Sequence, residues 1–139
     1  MIFEDLEFRN LKEKHAKEIL SFLLQKQEEF DILCAYRDID FNPALPKHIS
    51  SQFKDVIIFS LANYTLSTAH FEGEKLVFEA GFGEENFGSV VSVPIETILQ
   101  ISQNDTPLFI NVSASIPKPK EEKTKNPFAL NPRNKKLLD

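Results

Sequence analysis

Residues 60–101, SLANYTLSTAHFEGEKLVFEAGFGEENFGSVVSVPIETILQI, decide the fold class. With Phe59 ahead of it, the stretch sets Leu61, Tyr64 and Leu66, then Phe71, then Leu76, Phe78 and Ala80 at roughly every second residue. That is the period of a strand buried on one face. Glu72-Gly73-Glu74 interrupts the run with turn chemistry, and Gly81, Gly83 and Gly88 do so again. Pro94-Ile95-Glu96-Thr97-Ile98-Leu99 then shifts to helical spacing, with proline in a first-turn position where its missing N–H costs nothing. A helix this short persists only by docking Ile95, Ile98 and Leu99 on the sheet. The expectation is a strand meander closed by a short helix.

The flanks extend this core. Asn10 to about Glu28 reads as one long helix, with Asn10 as N-cap, Glu13 completing a capping box, and Leu11, Ala16, Ile19, Leu20, Leu23 and Leu24 at helical spacing. Lys12, Lys17 and Gln25 fall on the opposite face. Phe22 and Leu24 widen the apolar arc beyond what one sheet needs, which leaves two readings, core packing alone or an added contact with a second copy. Phe30 to Tyr36 is a compact apolar strand. Arg37 to Pro46 is an irregular connection, whose Asp38 and Asp40 read as a solvated loop because no histidine or third carboxylate lies at ligand spacing. Lys54 to Leu61 returns to strand, with Val56 to Phe59 unbroken as in a strand covered on both faces, and Pro107 to Ser113 supplies the last strand. The class is α+β, mainly β, in two layers.

A chain of 139 residues with 42% apolar content suits one folded domain, placed at residues 1–116. Residues 117–139 are rich in proline, lysine and asparagine, a composition that predicts a flexible tail. Of the 16 basic groups 7 follow Pro117, and of the 21 acidic groups 3 do, so 9 basic face 18 acidic in the body, net −9 against +4 in the tail. An acidic body repels a phosphate backbone and argues against nucleic-acid binding by the folded part. No apolar run is long enough to span a bilayer, and the opening MIFEDLEFRN carries acidic residues where a secretion signal wants basic ones, so a cytoplasmic protein is expected. Cys34, the single cysteine, sits among Ile32, Leu33 and Ala35 as a packed thiol.

Catalytic patterns are sparse. His15, His48 and His70 stand far apart, and none has a partner at metal-ligand spacing. Gly81-Phe82-Gly83 with Gly88 lacks the lysine and hydroxyl of a phosphate loop and reads as a turn or bulge. Neither paired carboxylates nor a Gly-x-Ser-x-Gly elbow is present. The expectation is a binding module, not an enzyme, with no cofactor and no metal.

The segments LSFLLQKQEEFDILCAY, SLANYTL, LVFEAGFGEENFGSVVSVPIETILQI and PLFI together resemble the stringent starvation protein B (SspB) family, adaptors that deliver ssrA-tagged proteins to the ClpXP protease. Phe78-Glu79-Ala80-Gly81-Phe82-Gly83, followed by Val-Ser-Val-Pro, is the most specific part, and the likeness runs from about Leu20 to Ile110. It implies an N-terminal helix, then a small Sm-like or SH3-like β-barrel with a short helix, and a homodimer formed through the helix at Leu20, Phe22, Leu23 and Leu24. It further implies an apolar groove for an extended tag peptide. By position, Leu61 and Ala62 match one groove wall, with Tyr64 beside them; Ala80 and Phe82 match the turn, and Leu108 with Phe109 match the last strand. Ordinary core is the competing reading for each. The likeness also implies tethering, in which Lys135, Lys136, Leu137 and Leu138 at the end of the tail dock on ClpX and raise the local concentration of tagged substrate. The chain departs from the family in a short, basic tail, in an insertion around Asn86 and Phe87, and in Asn63-Tyr64 where the family has Pro-Arg. The alternative function is an Sm-like RNA-binding module that stacks bases on Tyr64 and Phe82.

Overall fold

Helix α1 (Leu6–Lys26) begins at Leu6 and not at Asn10. Asp5 is the N-cap, its carboxylate accepting the Phe8 N–H at 3.0 Å. Asn10 and Glu13 lie inside the helix, where both accept from Lys118 Nζ, at 3.1 and 2.7 Å. Gln27 ends the helix in the left-handed conformation, φ 59°. The computed structural model describes residues 1–118, so the remainder of the expected tail, with its Lys135–Leu138 docking peptide, lies outside the described residues.

Eight strands follow: β1 (Phe30–Ala35), β2 (Asp40–Asn42), β3 (Val56–Leu61), β4 (His70–Glu72), β5 (Lys75–Phe82), β6 (Phe87–Pro94), β7 (Ile98–Gln103) and β8 (Thr106–Ile110). Short helices α2 (Lys47–Ser50) and α3 (Asn63–Thr68) flank β3. The strands form two separate four-stranded sheets, ordered β3-β1-β7-β8 and β2-β6-β5-β4, with every pairing antiparallel. The architecture is α+β, but among the described residues no closed barrel forms, which corrects the expected Sm-like or SH3-like barrel. Closure fails at the edges. β2 and β4 are three residues each. Pro43, next after β2, has no N–H to extend a ladder, and α3 occupies the crossing from β3 to β4.

Three local expectations also fail for identifiable reasons. Tyr64 and Leu66 lie on α3, not on a strand: Asn63 turns the chain at φ 52°, and the Ser67 and Thr68 hydroxyls donate back to the Tyr64 and Thr65 carbonyls at 2.7 and 2.8 Å. The expected helix after Pro94 shrinks to a 3₁₀ turn over Ile95–Thr97, after which Ile98 and Ile101 enter β7, where β-branched side chains pack well. β3 is an edge strand covered on one face only, with Ile57, Phe59 and Leu61 inward and Ile58 64% exposed.

The core fills the space between the sheets and beneath α1. Ile32, Cys34, Phe59 and Ile98 meet Leu76, Phe78, Val91 and Val93, and Phe59 meets Phe78 edge to face at 5.2 Å. Burial pushes the Cys34 thiol well above its ordinary pKa, as befits an inert packed cysteine. Leu11, expected to be inward, is 45% exposed, while Lys12 and Lys17 lie across the rings of Phe109 and Phe71 at 4.6 and 5.4 Å. Arg9, 4% exposed, donates to the carbonyls of Ser113 at 2.9 Å, Pro117 at 3.4 Å, and Ile116, fastening the segment after β8 to α1.

Candidate functional site

The β5–β6 hairpin places Gly81 directly opposite Gly88, with Glu79 opposite Val90 on the same outward row. Two facing glycines leave a strip of bare backbone. Above Gly88 the space is open, since a Cβ there would meet nothing within 4 Å. Above Gly81 the Asn86 carboxamide already occupies that place. Asn86 closes the hairpin turn at φ 54°, and Gly83 opens it at φ 74°.

Helix α3 forms one wall of the resulting cleft, through Tyr64 and Thr65, and Asn42 with Pro43 forms the other. The enclosed volume is about 470 Å³. Two hydrogen bonds fix the helical wall to a single residue of the floor: Tyr64 Oη donates to Glu79 Oε1 at 2.6 Å, and the Glu79 N–H donates to Thr68 Oγ1 at 2.9 Å. The hydrogen bond to Glu79, then its negative charge, raises the Tyr64 phenol above its ordinary pKa. Ser89 Oγ donates to the Pro43 carbonyl at 2.9 Å and fixes the opposite wall. Among the described residues Glu79 is the one carboxylate lining the cleft, and no lysine or arginine lines it.

Of the residues that the sequence nominated for a groove, the structure brings together Tyr64 and Ala80. Ala62 is half-buried at the N-cap of α3. Leu61 is fully buried core. Phe82 belongs to an aromatic cluster, edge-on to Phe41 at 5.7 Å, Phe53 at 6.3 Å and Phe59 at 6.4 Å. Leu108 and Phe109 lie on β8, in the other sheet. Leu108 lines a second cleft of about 600 Å³ with Ile19, Phe22, Leu23 and Lys26 of α1, and Phe109 is buried under Lys12. Among the residues nominated for a dimer contact, Leu20 and Leu23 are in the protein's own core, Leu24 packs partly against it, and Phe22 stands 57% exposed.

Glu79, Gly81, Asn86 and Gly88 were not singled out from the sequence as ligand contacts. A readable signal existed, because two glycines placed symmetrically about a Gly-Glu-Glu-Asn turn predict a cross-strand glycine pair. A further cleft, about 750 Å³ between α1 and the β4–β5 turn, is lined by interleaved charges including Glu13, Lys14, Lys17 and Glu74. Several of these charges already have partners: Lys17 reaches Glu74 at 3.6 Å, and Glu13 holds Lys118.

His15, His48 and His70 are all exposed. His70 contacts the Thr68 carbonyl at 2.9 Å and Glu72 at 2.8 Å, and these two hydrogen bonds, in that order, raise its pKa. Among the described residues no group of three or more His, Cys, Asp or Glu side chains is placed to hold a metal ion, and no helix is long and apolar enough to cross a membrane. Comparison of the sequence with protein-family models gives no match, and comparison with curated proteins gives none either.

Proposed function

We propose that this protein is a non-enzymatic adaptor that binds an ssrA-type degradation-tag peptide in the cleft between α3 and the β5–β6 hairpin and delivers the tagged protein to the ClpXP protease. The observation that carries this reading is the facing pair Gly81 and Gly88, bare backbone open above Gly88 and set between two hydrogen-bonded walls. An extended peptide alternates its side chains, so its main chain comes close only where the floor is this low. The strand carrying that floor is also the most specific part of the resemblance, Phe78-Glu79-Ala80-Gly81-Phe82-Gly83. A homodimer and tethering complete the proposal. Phe22 and Leu108 leave exposed apolar surface on either side of the α1–β8 cleft, which suits a second copy, and residues 117–139 with Lys135–Leu138 serve as the ClpX-docking tether. Of the two rings nominated for RNA stacking, Phe82 is committed to the aromatic cluster and Tyr64 stands exposed, so that reading keeps a single platform.

Fluorescence anisotropy with a labelled ssrA-type peptide tests the cleft. Micromolar or tighter binding is expected, and Gly88→Gln, which puts a long side chain into the open space above the floor, weakens it roughly tenfold or more. Absence of binding to the unmodified chain removes the basis of the proposal. Tethering has its own test: removing the residues after Lys125 leaves peptide affinity intact and abolishes accelerated ClpXP degradation of a tagged substrate, whereas equal delivery with and without the tail overturns it.

A further inference from the structure

The cleft's charge is one-sided, and its negative end is held ready. Among the described residues Glu79 is the sole charged side chain in the lining, with no cation there to balance it. Its Oε1 is taken by the Tyr64 hydroxyl. Among the described residues no hydrogen bond to Oε2 is found, so a residue that lines the cleft keeps one carboxylate oxygen with an unused acceptor. The same carboxylate cannot swing away without breaking the Tyr64 bond, and its main chain is tied through Thr68, so the oxygen is positioned before any ligand arrives. The surroundings reinforce the sign: Glu84 and Glu85 stand exposed on the hairpin turn, and the body as a whole is strongly acidic. A peptide carrying a carboxylate at this point meets repulsion from a fixed charge. One carrying an ammonium or guanidinium group meets a free acceptor.

Resting on the peptide-binding reading above, we infer that the cleft selects an extended peptide with a lysine or arginine side chain that reaches Glu79, and disfavours one with aspartate or glutamate there. Glu79 is therefore the specificity-determining residue of the cleft, with Tyr64 as the residue that positions it. The glycine floor admits the peptide, and the carboxylate chooses among peptides.

The test uses the full chain and a labelled ssrA-type peptide in which each position in turn is replaced by lysine and by glutamate, measured by anisotropy at low salt. At one position or more, the lysine variant is expected to bind about three- to fivefold tighter than the glutamate variant, the range of an exposed ion pair. The difference falls below about twofold in Glu79→Gln, which keeps the acceptor for Tyr64 and removes the charge, and it shrinks at high ionic strength. Equal binding of lysine and glutamate variants at every position, with the parent peptide bound, overturns the inference and leaves the adaptor reading standing. A preference that persists undiminished in Glu79→Gln overturns it as well. Failure of the parent and every variant to bind strikes the adaptor reading itself, and the inference falls with it.

Discussion

Two clefts of this protein use opposite chemistry. The one between α3 and the β5–β6 hairpin is walled by hydrogen bonds, floored by glycine and marked by a single carboxylate. The other, between α1 and β8, is lined by Ile19, Phe22, Leu23 and Leu108 and bordered by Lys26 and Glu28. Polar contacts have direction and apolar ones do not, so a ligand in the first cleft would be held by geometry and one in the second by buried area. The sequence-level groove list mixed the two, because it contains Tyr64 and Ala80 from one and Leu108 from the other.

Substitutions at each cleft separate these roles. Gly88→Val has the largest expected effect: it fills the open space above the floor and lowers tag-peptide affinity at least roughly tenfold by anisotropy, leaving the oligomeric state unchanged. At the other cleft, Phe22→Asp shifts the chain towards monomer in sedimentation velocity, while affinity per protomer stays within about twofold. If Phe22→Asp abolishes peptide binding, the two clefts are not independent. Thr68→Val leaves the Glu79 N–H without its acceptor and costs about 1 kcal/mol in urea denaturation. Tyr64→Phe frees the Glu79 side chain without emptying the wall, and weakens binding of a lysine-bearing peptide by about twofold.

The smallest effect is a pH dependence at β4. Because the folded-state pKa of His70 lies above its ordinary 6.5, the charged ring's contribution to stability is complete below that value and is lost as pH rises through the raised one. Amide protection factors along the β4–β5 ladder, corrected for the intrinsic rise of exchange with pH, should accordingly fall over that interval, and NMR titration should show Glu72→Gln lowering the His70 pKa.

How much of this was legible follows from parity and distance along the chain. Leu76, Phe78 and Phe82 share one parity of β5, so their inward direction was readable, and Glu79 with Gly81 had to point outward. The same parity puts Phe82 on the core side, where its aromatic neighbours lie. α3 was harder, since the spacing of Leu61, Tyr64 and Leu66 fits neither period cleanly, and hydroxyl-to-carbonyl bonds together with the tie to Glu79 favour the helix. The start of α1 was ambiguous for a similar reason: Asp5 and Asn10 are both good caps, and only Asp5 finds the N–H three residues on. Barrel closure was beyond local reading, because it depends on whether distant edges meet, and β2 and β4 are too short to do so. The lining of the cleft was hidden because Pro43, Tyr64 and Gly88 come from three separate stretches.

Cys34 gives this molecule a clock. It is the chain's one cysteine, it lies in an interior strand with Ile57 and Ile98 as its cross-strand neighbours, and none of its surface reaches solvent. A thiol reagent in excess therefore waits for β1 to part from its neighbours, and the rate of labelling counts those openings. A bound peptide that steadies only the β5–β6 hairpin leaves the count unchanged. One that holds both sheets together lengthens the interval between openings, so a single chemical rate reports whether occupancy of the cleft is felt on the far side of the core.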